Sequence, residues 1–180
     1  MSDPARAPLP YDFLPPVPAL TVTSDDFEPG QTLPDLHLAD VMGMTGDNVS
    51  PQLRWSGAPA ETASYAVTCF DPDAPTGSGF WHWVLFDIPA TVTELPRGAG
   101  SGDMVGLPAG AVHARNDMGA PEYVGAAPPP GHGVHRYVFA VHALGVPTLG
   151  LDAGATPALV GFNLTFNALA RGTIVGMFGR

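Results

Sequence analysis

Lysine is absent from this 180-residue chain, and its 7 basic residues, all arginine, stand against 17 acidic ones for a net charge of −10. Nucleic-acid binding needs a basic face, and an acidic surface repels polyanions and anionic membranes, so neither is expected as a partner. Screening acts over about 8 Å at physiological salt, which leaves room for a local anion site. Cysteine occurs once, at Cys69, which excludes an intrachain disulfide and removes the main support for a small secreted scaffold. No stretch approaches the roughly 18 apolar residues of a membrane span. The proline-rich opening, Met1 to Pro18, holds no apolar signal core. A cytoplasmic protein without integral membrane association is expected.

Glycine and proline, by contrast, are plentiful at 22 and 21 residues, scattered between apolar runs that bring the hydrophobic content to 45%. That punctuation predicts many short strands joined by turns in one domain with one core. Residues 1–18 read as a proline-rich arm, extended over the domain or loosely ordered, and residues 19–180 as the single domain.

The fold class this predicts is all-β, an antiparallel two-sheet sandwich with a C-terminal helix and a final short strand. Leu20–Thr23 and Asp35–Leu38 read as early extended pieces, and Ser64–Phe70 as a strand emptying into the loop Asp71-Pro72-Asp73-Ala74-Pro75. In the strand Trp81–Ile88, strict alternation puts His82, Val84, Phe86 and Ile88 on one face and Trp81, Trp83 and Leu85 on the other. Val134–Leu144 is the longest strand candidate, with His135, Tyr137, Phe139 and Val141 sharing a face. The helix is placed at Thr156–Ala170, with Thr156 as N-cap, Pro157 in first position and Leu159, Phe162, Phe166 and Leu169 on the apolar face. Gly172 reads as its stop and Thr173–Phe178 as the last strand.

Chemistry concentrates in two segments. His82 and His135 each follow a turn-rich loop, with Asp71 and Asp73 before one and Tyr137 after the other. If both strands start at the same end of the sandwich, these groups frame one mouth walled by Pro128 and Pro129. An acidic neighbour such as Asp71 is expected to raise an imidazole pKa and favour a cationic, anion-binding form. His37, His113, His132 and His142 read as packed or hydrogen-bonded residues. Trp81, at the loop edge, reads equally as core or as a surface for a ligand's apolar part.

Asp71-Pro72-Asp73-Ala74-Pro75 with Trp81-His82-Trp83, and Tyr123-Val124-Gly125 with Pro128-Pro129 and Gly131-His132-Gly133-Val134-His135-Arg136-Tyr137, closely resemble the two signature regions of the phosphatidylethanolamine-binding proteins. The bacterial Raf-kinase-inhibitor-like branch looks nearest, and Ser50–Ser56 and the closing helix and strand match it too, so the resemblance spans roughly residues 20 to 178. It implies a two-sheet fold with a shallow pocket for phosphate-like, phospholipid-headgroup-like or carboxylate-like anions, in a family known for binding and regulation. The ligand-binding residues it implies are Asp71, Asp73, Trp81, His82, Gly125, Pro128, His135 and Tyr137. Imidazole and backbone N–H groups and a phenol can all donate to an anion. Two departures, Ala126-Ala127 where the branch has Gly-Pro and Phe178 where it often has tyrosine, are expected to narrow or dry the pocket.

The function expected is an anion-binding regulatory protein, a modulator of kinase or protease signalling, with no metal and no organic cofactor. A small hydrolase using the Asp/His pocket for acid–base catalysis is the alternative, although no nucleophile elbow or Cys–His motif stands in a convincing setting. The same carboxylates and imidazoles could hold a metal, but no His-x-His or His-x-x-x-His chelate supports it. High apolar content, and the pairing of relatives that the resemblance implies, make a homodimer the expected assembly.

Overall fold

The structure is a computed structural model that describes residues 6–180, so residues 1–5 of the proline-rich arm lie outside it. Its elements are β1 (Thr21–Thr23), β2 (Leu53–Ser56), β3 (Ser64–Asp71), β4 (Phe80–Pro89), β5 (Glu94–Leu95), β6 (Val112–His113), β7 (Val134–Leu144), α1 (Pro157–Asn167) and β8 (Ala168–Gly179). They form a three-stranded sheet, β1-β2-β5, and a five-stranded sheet, β6-β4-β3-β7-β8, with antiparallel strand pairing throughout.

Burial patterns place the strands. β3 is buried at every position, as a strand covered on both faces and paired at both edges must be. β2 instead alternates, Leu53 and Trp55 inward and Arg54 and Ser56 outward, because the small sheet has water on one side. Leu53, Trp55, Val67, Cys69, Trp83, Leu85, Phe139 and Val141 fill the space between the sheets. The other face of the large sheet, through Ala66, Val84, Phe86 and Leu144, receives α1.

The helix begins as expected: Thr156 Oγ1 accepts from the Leu159 N–H at 3.2 Å and Pro157 takes the first position. Its buried side is different. Val160 and Leu164 face the sheet, while Leu159, Phe162 and Phe166 are 45%, 62% and 74% exposed. It also ends at Asn167, because from Ala168 the chain pairs with the end of β7, Ala168 opposite Leu144 and Ala170 opposite Ala143. The final strand is therefore 12 residues long rather than a short piece from Thr173. Gly172 lies inside it. A Cβ there would come within 2.3 Å of the Leu20 carbonyl oxygen, so this glycine permits close packing instead of stopping a helix. Asp35–His37, read as extended, is a single 3-10 turn.

The described part of the arm lies along the outer face of the large sheet. Arg136 Nη2 donates to the Ala7 carbonyl at 2.6 Å, and the Arg171 guanidinium carbon sits 5.7 Å from the centre of the Tyr11 ring. Among the described residues no helix is long and apolar enough to cross a membrane.

Candidate functional site

β4 and β7 both run antiparallel to β3, so both begin at the end where β3 finishes. His82 and His135 sit near those beginnings, and Asp71 is the last residue of β3. Strand direction alone thus brings the three side chains to one end of the sandwich.

A bulge then aims them. Cys69 pairs with Trp83 and Phe70 with Trp81, leaving His82 as an extra residue on β4. His82 turns inward, its ring 5.1 Å from that of Tyr137, while Trp81 is thrown to the opposite face and packs on Phe70 at 4.5 Å. The alternation expected for this strand fails for that reason, and Trp81 does not reach the site. A second slip, at Asp87 with φ of 58°, carries Ile88 into the inner core beside Trp83 and Leu85.

Asp71, His82, Gly125, His135 and Tyr137 meet around a cavity of about 180 Å³. Phe80, Pro75, Pro129, Ala127, Met42 and Met118 supply apolar walls, and Asp71 is the sole acidic side chain in the lining, which contains no arginine. Asp73 and Pro128 are near but do not line it. Asp73 accepts from the Arg136 backbone N–H at 2.9 Å and from Nε at 2.8 Å, binding the loop to β7. Burial would raise its carboxyl pKa, but the Arg136 bonds outweigh that and hold it below the usual range. Pro128 accepts from Arg180 Nε through its carbonyl at 2.6 Å, leaving Pro129 as the wall. Phe178 stands opposite His135 in the β7–β8 register and packs against the core rather than lining the cavity, whereas Ala127 does line it.

Hydrogen bonds fix the proton positions. Asp71 Oδ1 accepts from the Asp73 N–H at 2.8 Å, and Oδ2 lies 2.7 Å from His135 Nδ1, which therefore carries its hydrogen. His135 Nε2 is 2.7 Å from Nδ1 of His132. His82 Nδ1 lies 2.9 Å from the Val124 carbonyl, which can only accept, so the ring hydrogen is there and Nε2 presents a lone pair. Burial pushes the His82 pKa down by more than Val124 and Asp71 raise it. This is opposite to the cationic ring expected from a carboxylate neighbour, because at 5% exposure desolvation is the larger effect.

The Gly125 N–H donates to Asn48 Oδ1 at 2.7 Å and is not free for a ligand. Glycine is required there because a Cβ would come within 2.3 Å of the Leu38 carbonyl carbon. The Tyr137 hydroxyl is buried and makes no full hydrogen bond, the Ala127 backbone N–H lying near its oxygen; burial, reinforced by Asp71, outweighs that N–H and keeps the phenol protonated with its hydrogen free to donate.

Sequence reasoning missed His132, Met42, Met118 and Arg180. The spacing His132-Gly133-Val134-His135 was the available signal for the first. Met42, at φ of 54°, and Pro128 are tied together by Arg180, whose Nη2 donates to the Met42 carbonyl at 2.9 Å; nothing local in the sequence announces that contact. Among the described residues no group of three or more His, Cys, Asp or Glu is placed to hold a metal ion.

Residues 23–179 match the family model described as phosphatidylethanolamine-binding protein. The chain is 49% identical over 159 residues to the UPF0098 protein YbhB of Escherichia coli strain K12, covering 88% of this chain and 99% of that one. The crystal structure of E. coli YbcL, described as a member of the mammalian PEBP family, superposes with a TM-score of 0.87 at 45% identity, covering 89% of this chain and 98% of the other. A phosphatidylethanolamine-binding protein from Plasmodium vivax shares the fold, with a TM-score of 0.54 at 19% identity over 91% of this chain and 87% of that one.

Proposed function

The chain belongs to the phosphatidylethanolamine-binding protein family, and from that premise we propose that its cavity holds the anionic head of a phosphate- or carboxylate-bearing ligand. The observation that carries this reading is the meeting of His82, His135, Tyr137 and Asp71 at the base of one small cavity whose walls are apolar. The polar base suits a head group, and the rim of Met42 and Met118, 62% and 54% exposed, suits the less polar part of a ligand or of a protein segment. Modulation of a kinase or protease through a phosphorylated or acidic segment is the finer form of the same reading. A cytoplasmic location, supported by the single thiol Cys69, and a homodimer, testable by light scattering, complete it.

The hydrolase alternative has a carboxylate–imidazole couple in Asp71 and His135 but needs a nucleophile beside it. Cys69 is fully buried, and burial followed by the Asp71 charge pushes its thiol well above the ordinary range. The Thr76 hydroxyl at the cavity wall donates to the Gly79 carbonyl.

Histidine-ring NMR during titration with inorganic phosphate and with a short-chain phosphoethanolamine ester tests the proposal. Saturable shifts of His82 and His135 are expected, lost in His135→Ala. Ring signals unmoved by either compound at tens of millimolar would reject an anion pocket here.

A further inference from the structure

Resting on the anion-pocket reading above, we infer that the cavity takes its anion together with one proton, so that what it holds is an acid: the monoanion of a phosphate monoester or a carboxylic acid. The hydrogens of both imidazoles are already committed. His82 Nδ1–H points to the Val124 carbonyl and His135 Nδ1–H to the Asp71 carboxylate, while His135 Nε2 is covered by His132. His82 Nε2 meets no hydrogen-bond partner among the described residues and offers only a lone pair. The Gly125 amide is held by Asn48, and no arginine lines the cavity. The free side-chain donor is the Tyr137 hydroxyl, and it stands near the Asp71 charge.

A fully deprotonated anion entering this site would find donors in the Tyr137 hydroxyl and the Ala127 backbone N–H, but its remaining oxygens would lie against the His82 lone pair and the Asp71 carboxylate, an unfavourable arrangement in a desolvated pocket. One proton removes the conflict. Taken from solvent, it forms an N–H at His82 Nε2 that donates to the anion, or an O–H on the anion that donates to Nε2. The two differ by the position of one hydrogen along one bond.

The titratable and charged groups around His82 are Asp71 on β3, His135 and Tyr137 on β7 and Asp117 in the loop after β6, with the Val124 and Gly125 carbonyls beside the ring. Around His135 they are Asp71, Asp73 and His132. At His82 the Asp71 and Asp117 carboxylates favour the proton's arrival, and burial opposes it until an anion is present to share it.

Calorimetry on the full chain decides this, with inorganic phosphate and with sulfate, in buffers of unlike ionisation enthalpy between about pH 6 and about pH 8. Sulfate does not titrate in that range, so any proton it brings sits on the protein. Close to one proton taken up per anion at the alkaline end is expected, with affinity falling about tenfold per pH unit. Uptake with both probes, or with phosphate while sulfate fails to bind, supports the inference and locates the hydrogen on the ring or on the ligand. Binding of either probe with no uptake and an affinity flat in pH overturns the coupling alone. Failure of both to bind at every pH overturns the anion pocket and the coupling with it.

Discussion

His142 lies beside the Tyr11 ring, accepts from Arg171 Nε at 3.3 Å on Nδ1, and keeps Nε2 buried without a partner. Burial first, and the Arg171 charge second, push its pKa down to about 3, and burial takes His113 to about 4. In the unfolded chain both titrate near 6.5. Between about pH 6.5 and about pH 4 the unfolded state therefore binds protons that the folded state refuses. Stability is intact above this window and falls as pH falls through it, by about 1.4 kcal/mol per pH unit for each histidine. Asp73, whose folded pKa is lowered, yields its contribution only in more acid solution. Urea unfolding from about pH 7 to about pH 4.5 should show this slope, shallower in His142→Asn; an unchanged slope in a folded variant would contradict it. At this scale the site was partly legible. Asp71, His82 and His135 follow from turn-rich loops feeding strands, but Trp81 was misplaced because a one-residue bulge reverses every side chain beyond it. Sequence pattern alone assigns His132 to packing, although a residue three positions from His135 across a glycine can fold back on it.

α1 carries the sharpest contrast between pattern and packing. Its eleven residues include no charge, so apolar side chains occur on nearly every side and periodicity alone selects the wrong stripe. What decides is the ladder with β7, which claims the chain from Ala168 and fixes how the helix must lie, turning Val160 and Leu164 down. The strands β3, β4 and β7 were legible because uninterrupted β-branched and aromatic runs have few other uses, while β8 was half hidden behind Ala170 and Gly172, residues that say little in isolation. Leu164→Ala should cost about 2–4 kcal/mol in chemical denaturation, since it opens a cavity beneath the helix. Phe166→Ser, at 74% exposure, should cost within about 0.5 kcal/mol. Equal losses from the two would mean that the outer stripe is buried in solution, against a second copy or another partner.

Over the whole molecule the charge is lopsided and the pocket does not offset it. Arg54, Arg97 and Arg136 are paired with Glu94, Asp26 and Asp73, and Arg180 is bound to backbone carbonyls at the loops beside the cavity. None of them lines it, so a distant anion meets the field of the net charge of −10, with Arg180, bound to carbonyls rather than to a carboxylate, as the nearby cation. Net charge was readable from composition, but that every arginine stays out of the cavity was not, because pairing depends on strands far apart in sequence. An anion approaching this surface is expected to be repelled at long range by that net charge. Raising ionic strength from about 0.01 M to about 0.15 M shortens the screening length from about 30 Å to about 8 Å and should remove most of that repulsion. Phosphate should therefore associate faster as a weakly coordinating salt is added, the reverse of electrostatic steering by a basic cleft. NMR line-shape analysis across a salt series at fixed pH measures the rate directly. Association that slows with salt would mean that Arg180, whose guanidinium meets backbone carbonyls beside the cavity, sets a positive local field there that outweighs the net charge.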